Sequence, residues 1–210
     1  MTPMNISLLE KINSIGLSYR QYLNLTAREI ETADSAQLTE EEHAQLENKK
    51  LNLHRMKRIE RHYQVGEGLK NIAQSVDKPQ LWMIISETWC GDSAQNIPYI
   101  FKNAELNPKI DLRIVLRDTN PDIMNLYLTN GTRSIPILVV FDEFGNELLK
   151  WGPRPMAAKQ LVNDLITQGT DKIVRAQKLH LWYGRNKGKD LELEMTAMLK
   201  SMMIKTEWEG

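Results

Sequence analysis

The sequence predicts an α/β fold: a central mixed β-sheet flanked by helices, with extra helices at both ends. Three observations carry this reading. Strand-length apolar runs alternate with helical patterns through the middle of the chain, turn residues join the last two runs, and both flanking parts show helical periodicity. At 210 residues the chain can bury a sizeable core, and it suits one domain with extensions better than two full domains.

The elements follow in order. Tyr19, Leu23, Thr26 and Ile30 keep helical spacing, and a second helix is expected from Thr39 to about Gln64. Thr39 with Glu42 has the form of a capping box, in which hydroxyl and carboxylate satisfy free amides reciprocally. Leu46, Leu53, Met56, Ile59 and Tyr63 of this helix share a face, leaving Lys49, Lys50, Arg55, Lys57, Arg58 and Arg61 largely toward water. From Val65 a short helix is expected to about Ser75, then a loop at Asp77-Lys78-Pro79 and a buried strand from Leu81 to Ser86. Cys90 to about Lys102 reads as a helix, Leu112 to Leu116 as a strand, and Pro121 to Leu128 as a helix with proline in its first turn. Pro136 to Phe141 and Glu147 to Trp151 form a hairpin through Glu143-Phe144-Gly145-Asn146, and a helix from about Pro155 to Gln168 closes this region. Beyond Gly169 two helical pieces are split near Gly184 to Gly188, and the stripe Leu191, Met195, Met198 and Met202 is expected to pack inward.

Composition excludes several function classes. Lys+Arg and Asp+Glu number 27 each, so no bulk attraction to nucleic acid or an anionic membrane is expected. One cysteine cannot form an internal disulfide, which fits a reducing, cytoplasmic compartment. Residues Met1 to Ile15 lack the pattern of a signal peptide, and no run approaches the roughly 18 apolar residues of a membrane span. His43, His54 and His62 lie on one helix without a second ligand cluster, so no metal and no cofactor are expected. The basic run Lys49 to Arg61 follows Glu40 to Glu42 on the same helix, an order that suits the helix dipole rather than nucleic acid.

The chemistry concentrates on Cys90, in Ser86-Glu87-Thr88-Trp89-Cys90-Gly91-Asp92-Ser93 after the strand run. Together with Arg133-Ser134-Ile135-Pro136 ahead of a later strand, and with Trp151-Gly152 at the end of the last one, this segment resembles the thioredoxin family. The resemblance spans about Val65 to Gln168 and implies a thioredoxin-like fold, with Cys90 between a central strand and a helix. It also implies a cis peptide bond at Ile135-Pro136 lying against the sulfur, and Cys90 with Ser93 as the catalytic positions. Trp89, Gly91, Asp92, Arg133, Ile135 and Pro136 would line a substrate groove, in which backbone at Ile135 pairs with an extended peptide; for Trp89, packing under the loop is an equal alternative. The segments then expected are a helical extension over 1–64, a thioredoxin-like domain over 65–169 and a second extension over 170–210.

Two positions depart from the family's dithiol pattern: Ser93 replaces the second cysteine, and Ile84 replaces a buried aspartate. A thiol at a helix start is favoured as thiolate by free amides and the dipole, while Asp92 works against ionisation, so the sign of its shift stays open here. Ser93 can support a thiolate but cannot resolve a mixed disulfide. Four uses of Cys90 remain: monothiol exchange on protein disulfides or on mixed disulfides with a low-molecular-weight thiol, oxidation sensing, a binding or adaptor module without redox chemistry, and a structural role. The sequence carries no expectation for oligomeric state.

Overall fold

Gln80–Ser86 is an unbroken run without alternating polarity because it forms an inner strand, buried at every position. The computed structural model describes residues 3–34 and 36–208, with side chains over 7–34 and 36–204; residues 1–2, 35 and 209–210 of the two expected extensions lie outside the described residues. Along the chain run α1 (Pro3–Ile15), α2 (Tyr19–Glu31), α3 (Glu40–His62), α4 (Glu67–Gln74), β1 (Gln80–Ser86), α5 (Gly91–Ala104), β2 (Ile110–Leu116) and α6 (Pro121–Leu126). They are followed by β3 (Ile137–Asp142), β4 (Glu147–Trp151), α7 (Met156–Thr167), α8 (Lys172–Asn186) and α9 (Lys189–Trp208).

The sheet order is β2-β1-β3-β4. β1 pairs in parallel with β2 and antiparallel with β3, and β4 closes the far edge antiparallel to β3. This is the mixed sheet expected, in the α/β class. The β3–β4 hairpin turns where Asp142 Oδ1 accepts the amides of Phe144 and Asn146, with Gly145 at φ +83°.

Because strand side chains alternate, β1 feeds two cores. Trp82 and Ile84 point into one that also contains Tyr22 and Leu23 of α2, Met56 and Ile59 of α3, Ile97 of α5, and Leu191, Met195, Leu199 and Met202 of α9. Leu81, Met83 and Ile85 point into the other, with Ile12 of α1, Ile123 and Met124 of α6, and Cys90. Residues from all three expected segments therefore share the first core, and the stripe on α9 packs into it, with Met198 at its edge. Thr39 caps α3 as expected, and an unforeseen box at Ser18 and Gln21 starts α2.

One reading of α3 needs correction. Arg55, expected toward water, is half-buried: its Nη1 donates to Asn52 Oδ1 at 3.1 Å, and burial lowers its pKa. Asn52 is buried because its amide donates to the carbonyl of Thr88 at 3.1 Å, so polar groups of α3 hold the loop after β1. His43, His54 and His62 are exposed. Among the described residues no helix is long and apolar enough to cross a membrane.

Candidate functional site

Strand register gathers the site at one end of the sheet. Ser86 pairs with Leu116 and Ile85 with Ile137, so the residues after β1, after β2 and before β3 meet at the same edge. That brings Trp89 and Cys90, Arg117, and Ile135 with Pro136 together from three distant stretches of chain. From below, the Tyr22 hydroxyl lies 3.0 Å from Ser86 Oγ, and Thr88 Oγ1 donates to Glu29 at 2.6 Å. The N-terminal helices thus fix the loop that presents the cysteine.

Cys90 is the N-cap residue of α5, and its carbonyl accepts the first helical bond from Ala94. Its thiol donates to the Ile135 carbonyl at 3.6 Å, and the Ile135–Pro136 bond is cis. The backbone expected to be free at Ile135 is therefore engaged on its carbonyl side while Cys90 is a thiol. Cys90 is one of the residues lining a cavity of about 300 Å³, with Trp89, Arg117, Arg133, Ser134, Pro153 and Arg154 among the others. A larger cavity of about 620 Å³ between α3, α5 and the α8–α9 junction does not include Cys90.

The direction left open by the sequence is settled by burial. Cys90 is only 8% exposed, and loss of solvent raises the thiol pKa, with the Asp92 charge adding to the rise. The Ser93 side chain and the amides of Ser93 and Asp92 favour the thiolate and offset part of it. Ser93 is wholly buried, and its hydroxyl has no hydrogen-bond partner beside the neutral thiol. Ile84, where the dithiol pattern has an acid, is an apolar core residue.

Asp92 is the best-held acid of the site. Tyr183 donates to its Oδ1 at 2.7 Å, and Arg154 Nη2 lies 2.6 Å from its Oδ2. Asn96 donates both to the Asp92 carbonyl at 2.7 Å and to the Tyr183 hydroxyl at 3.1 Å. Both carboxylate oxygens are thus engaged, and Asp92 acts on the cavity through its charge. The same bonds draw α8 over the start of α5. His180 and Arg55 lie against Gly91, so closely that a Cβ there would stand 2.9 Å from His180 Cε1. Burial, then the Arg55 charge, lowers the His180 pKa to about 4.

The other expected site residues take distinct places. Trp89 is half-buried beneath the Arg117 guanidinium, whose Cζ is 4.8 Å from the ring centroid. Arg133 is exposed and donates to the Arg117 carbonyl at 3.3 Å. Ile135 and Pro136 are buried. Sequence reasoning missed Arg55, Asn96, Arg117, Arg154, His180 and Tyr183. Arg117, directly after a predicted strand, and Arg154, between two prolines beyond Trp151-Gly152, carried a positional signal; the two residues on α8 carried none.

Comparison with known proteins bears on the fold. A family profile described as Thioredoxin matches residues 38–169. No curated protein matches the chain. Among solved structures, an HIV epitope-scaffold is similar at 18% identity and a TM-score of 0.56, over 91% of this chain and 97% of that chain. A protein of unknown function from Pseudomonas aeruginosa is similar at 18% identity and a TM-score of 0.51, over 88% of this chain and 98% of that one. A domain of the alkylhydroperoxide reductase AhpF from Enterococcus faecalis aligns at 24% identity and a TM-score of 0.36, over 46% of each chain. The first two likenesses show a shared fold.

Proposed function

The chain belongs to the thioredoxin family, and from that premise we propose that Cys90 performs monothiol thiol–disulfide exchange on a protein disulfide or on a mixed disulfide with a low-molecular-weight thiol. One observation carries the reading: the sulfur stands at the start of α5, 3.6 Å from the carbonyl before Pro136, in a residue that lines a cavity, while the hydroxyl three residues on is buried without a partner. Cys90 Sγ, as thiolate, attacks one sulfur of a disulfide. A new S–S bond forms as the old one breaks, and the departing thiolate takes a proton from water. Ser93 stabilises the ionised sulfur but offers no second thiol, so an external thiol attacks the adduct and regenerates Cys90. Residues 65–169 are the working unit in this proposal, with the segments 1–64 and 170–210 shaping access. Release by a small thiol suits the reducing cytoplasm expected from the sequence.

The raised thiol pKa means that little thiolate exists at neutral pH, but a thiolate of higher pKa is a stronger nucleophile once formed. The test is intact-protein mass spectrometry with 2-hydroxyethyl disulfide between pH 7 and 9. A single adduct on Cys90, faster at higher pH and released by added thiol, is the expected result. Absence of an adduct up to pH 9, or the same adduct in Cys90→Ala, overturns the proposal. Ser93→Cys should gain reduction of insulin disulfides.

The near-complete burial of Cys90 favours a second reading, a redox-inactive binding or adaptor module. Partners captured equally by Cys90→Ala and unaffected by reductant would support it, whereas partners released by reductant support exchange.

A further inference from the structure

Three arginines bound the Cys90 cavity, each from a separate loop: Arg117 after β2, Arg133 before β3 and Arg154 between β4 and α7. Their charges are not equally available. Arg117 is paired with Asp118 at 2.8 Å and Arg154 with Asp92 at 2.6 Å. Arg133 has no acidic partner among the described residues, and its guanidinium is tied only to the Arg117 carbonyl. Glu87 is buried below the loop outside the cavity lining, and its Oε1 accepts the Asp118 amide at 2.7 Å. Around the cavity itself the surplus positive charge therefore sits at Arg133.

Two further observations bear on what fits. Arg133 is exposed, whereas Arg117 and Arg154 keep only 20% and 28% of their side-chain surface, so Arg133 is the most accessible of the three cations. His180 and Arg55 lie against Gly91, where a second cavity of about 420 Å³ adjoins, and Arg133 stands on the other side, with Trp89 and Ser134. The cavity is open to solvent, and its volume of about 300 Å³ falls at the lower end of small-molecule sites, about 300–1,000 Å³, so a compact ligand can occupy it.

We infer that the disulfide exchanging with Cys90 is a small one whose thiol carries a carboxylate, held by Arg133 at the mouth of the cavity with Arg117 and Arg154 behind it. This rests on the exchange reaction proposed above. In it, the Cys90 Sγ–S bond forms as the R–S–S–R bond breaks, one R–S⁻ leaves and is protonated by water, and the bound half keeps its carboxylate on Arg133. Anions gain from the focused positive potential, and cations lose by it.

Three small disulfides test this: dianionic 3,3′-dithiodipropionate, neutral 2-hydroxyethyl disulfide and dicationic cystamine. Rate constants for adduct formation on the full chain are measured at pH 8 and low ionic strength, each divided by the rate of 2-mercaptoethanol with the same disulfide. The dianion should exceed the neutral compound by about three- to ten-fold and cystamine should fall below it, with the spread compressed by salt. Arg133→Gln should bring the three within about two-fold, while Arg133→Lys keeps the order. Equal normalised rates in the wild type, a faster cystamine reaction, or an unchanged preference in Arg133→Gln overturns the inference. Charge-blind adduct formation would leave the exchange reaction standing, whereas no adduct from any of the three removes both. Should Arg133→Gln fail to fold, the wild-type series and Arg133→Lys still decide.

Discussion

Asp92→Asn separates the two effects that raise the Cys90 thiol. The substitution keeps size and removes the charge that adds to the effect of burial. A carboxylate about 6 Å from the sulfur, at an effective dielectric near 40, disfavours the thiolate by about 1.4 kcal/mol, or about one pKa unit. Arg154 then loses its partner and favours the thiolate in turn, so a fall of at least about one unit is expected. The assay is exchange with a neutral disulfide followed by intact mass across pH 6 to 11. Below both midpoints the variant carries about ten times more thiolate, but its lower basicity removes about two-thirds of that gain, leaving a rate about three- to four-fold higher. Stability should drop by about 2 to 3 kcal/mol, less than for a fully buried pair because the Arg154 side chain keeps 28% exposure. An unmoved or higher midpoint would refute the reasoning, because it would mean that Arg154 already screens the carboxylate from the sulfur.

Other outcomes follow from the same geometry. Ser93→Ala removes a hydroxyl that favours the thiolate yet has no partner beside the thiol, so the Cys90 midpoint should rise by about one unit while urea stability holds within about 1 kcal/mol; a midpoint that falls contradicts this. Gly152 has φ +129°, and a Cβ there would stand 2.2 Å from the Pro136 carbonyl oxygen. Gly152→Ala should therefore cost about 3 kcal/mol or more and quicken labelling of Cys90, and an unchanged melting temperature would count against it. His180 binds its proton near pH 6.5 when unfolded but only near 4 when folded, where burial first and then Arg55 and Arg154 oppose the charge and Asp92 favours it. Between those values the unfolded state holds more protons, so stability rises with pH, the contribution is complete above about 6.5, and it is lost on acidification through 4. After allowance for the partial exposure of the ring this amounts to about 2 kcal/mol. Urea titrations of wild type and His180→Gln should diverge by that amount across the window, and parallel curves would exclude it.

What could be read in advance depended on how local its cause was. β1 was legible because an inner strand must be apolar throughout, α3 because Thr39 and Glu42 cap it within one turn, and the α9 stripe because its period is intrinsic to the helix. Arg117 reaches the cavity only through the parallel register of Ser86 with Leu116, a long-range pairing. His180 and Tyr183 are further removed: on α8 they are two residues of an ordinary helix face, and they gain a role only when Tyr183 finds Asp92, 91 positions away. Asp92 itself was legible as a charge beside the cysteine but not as an anchor. The two roles are linked, because the carboxylate that disfavours the thiolate also holds α8 and the Arg154 loop across the start of α5. A motif with a free carboxylate would leave α8 and the Arg154 loop without this anchor and the sulfur more solvated, whereas here the paired acid holds both beside the start of α5.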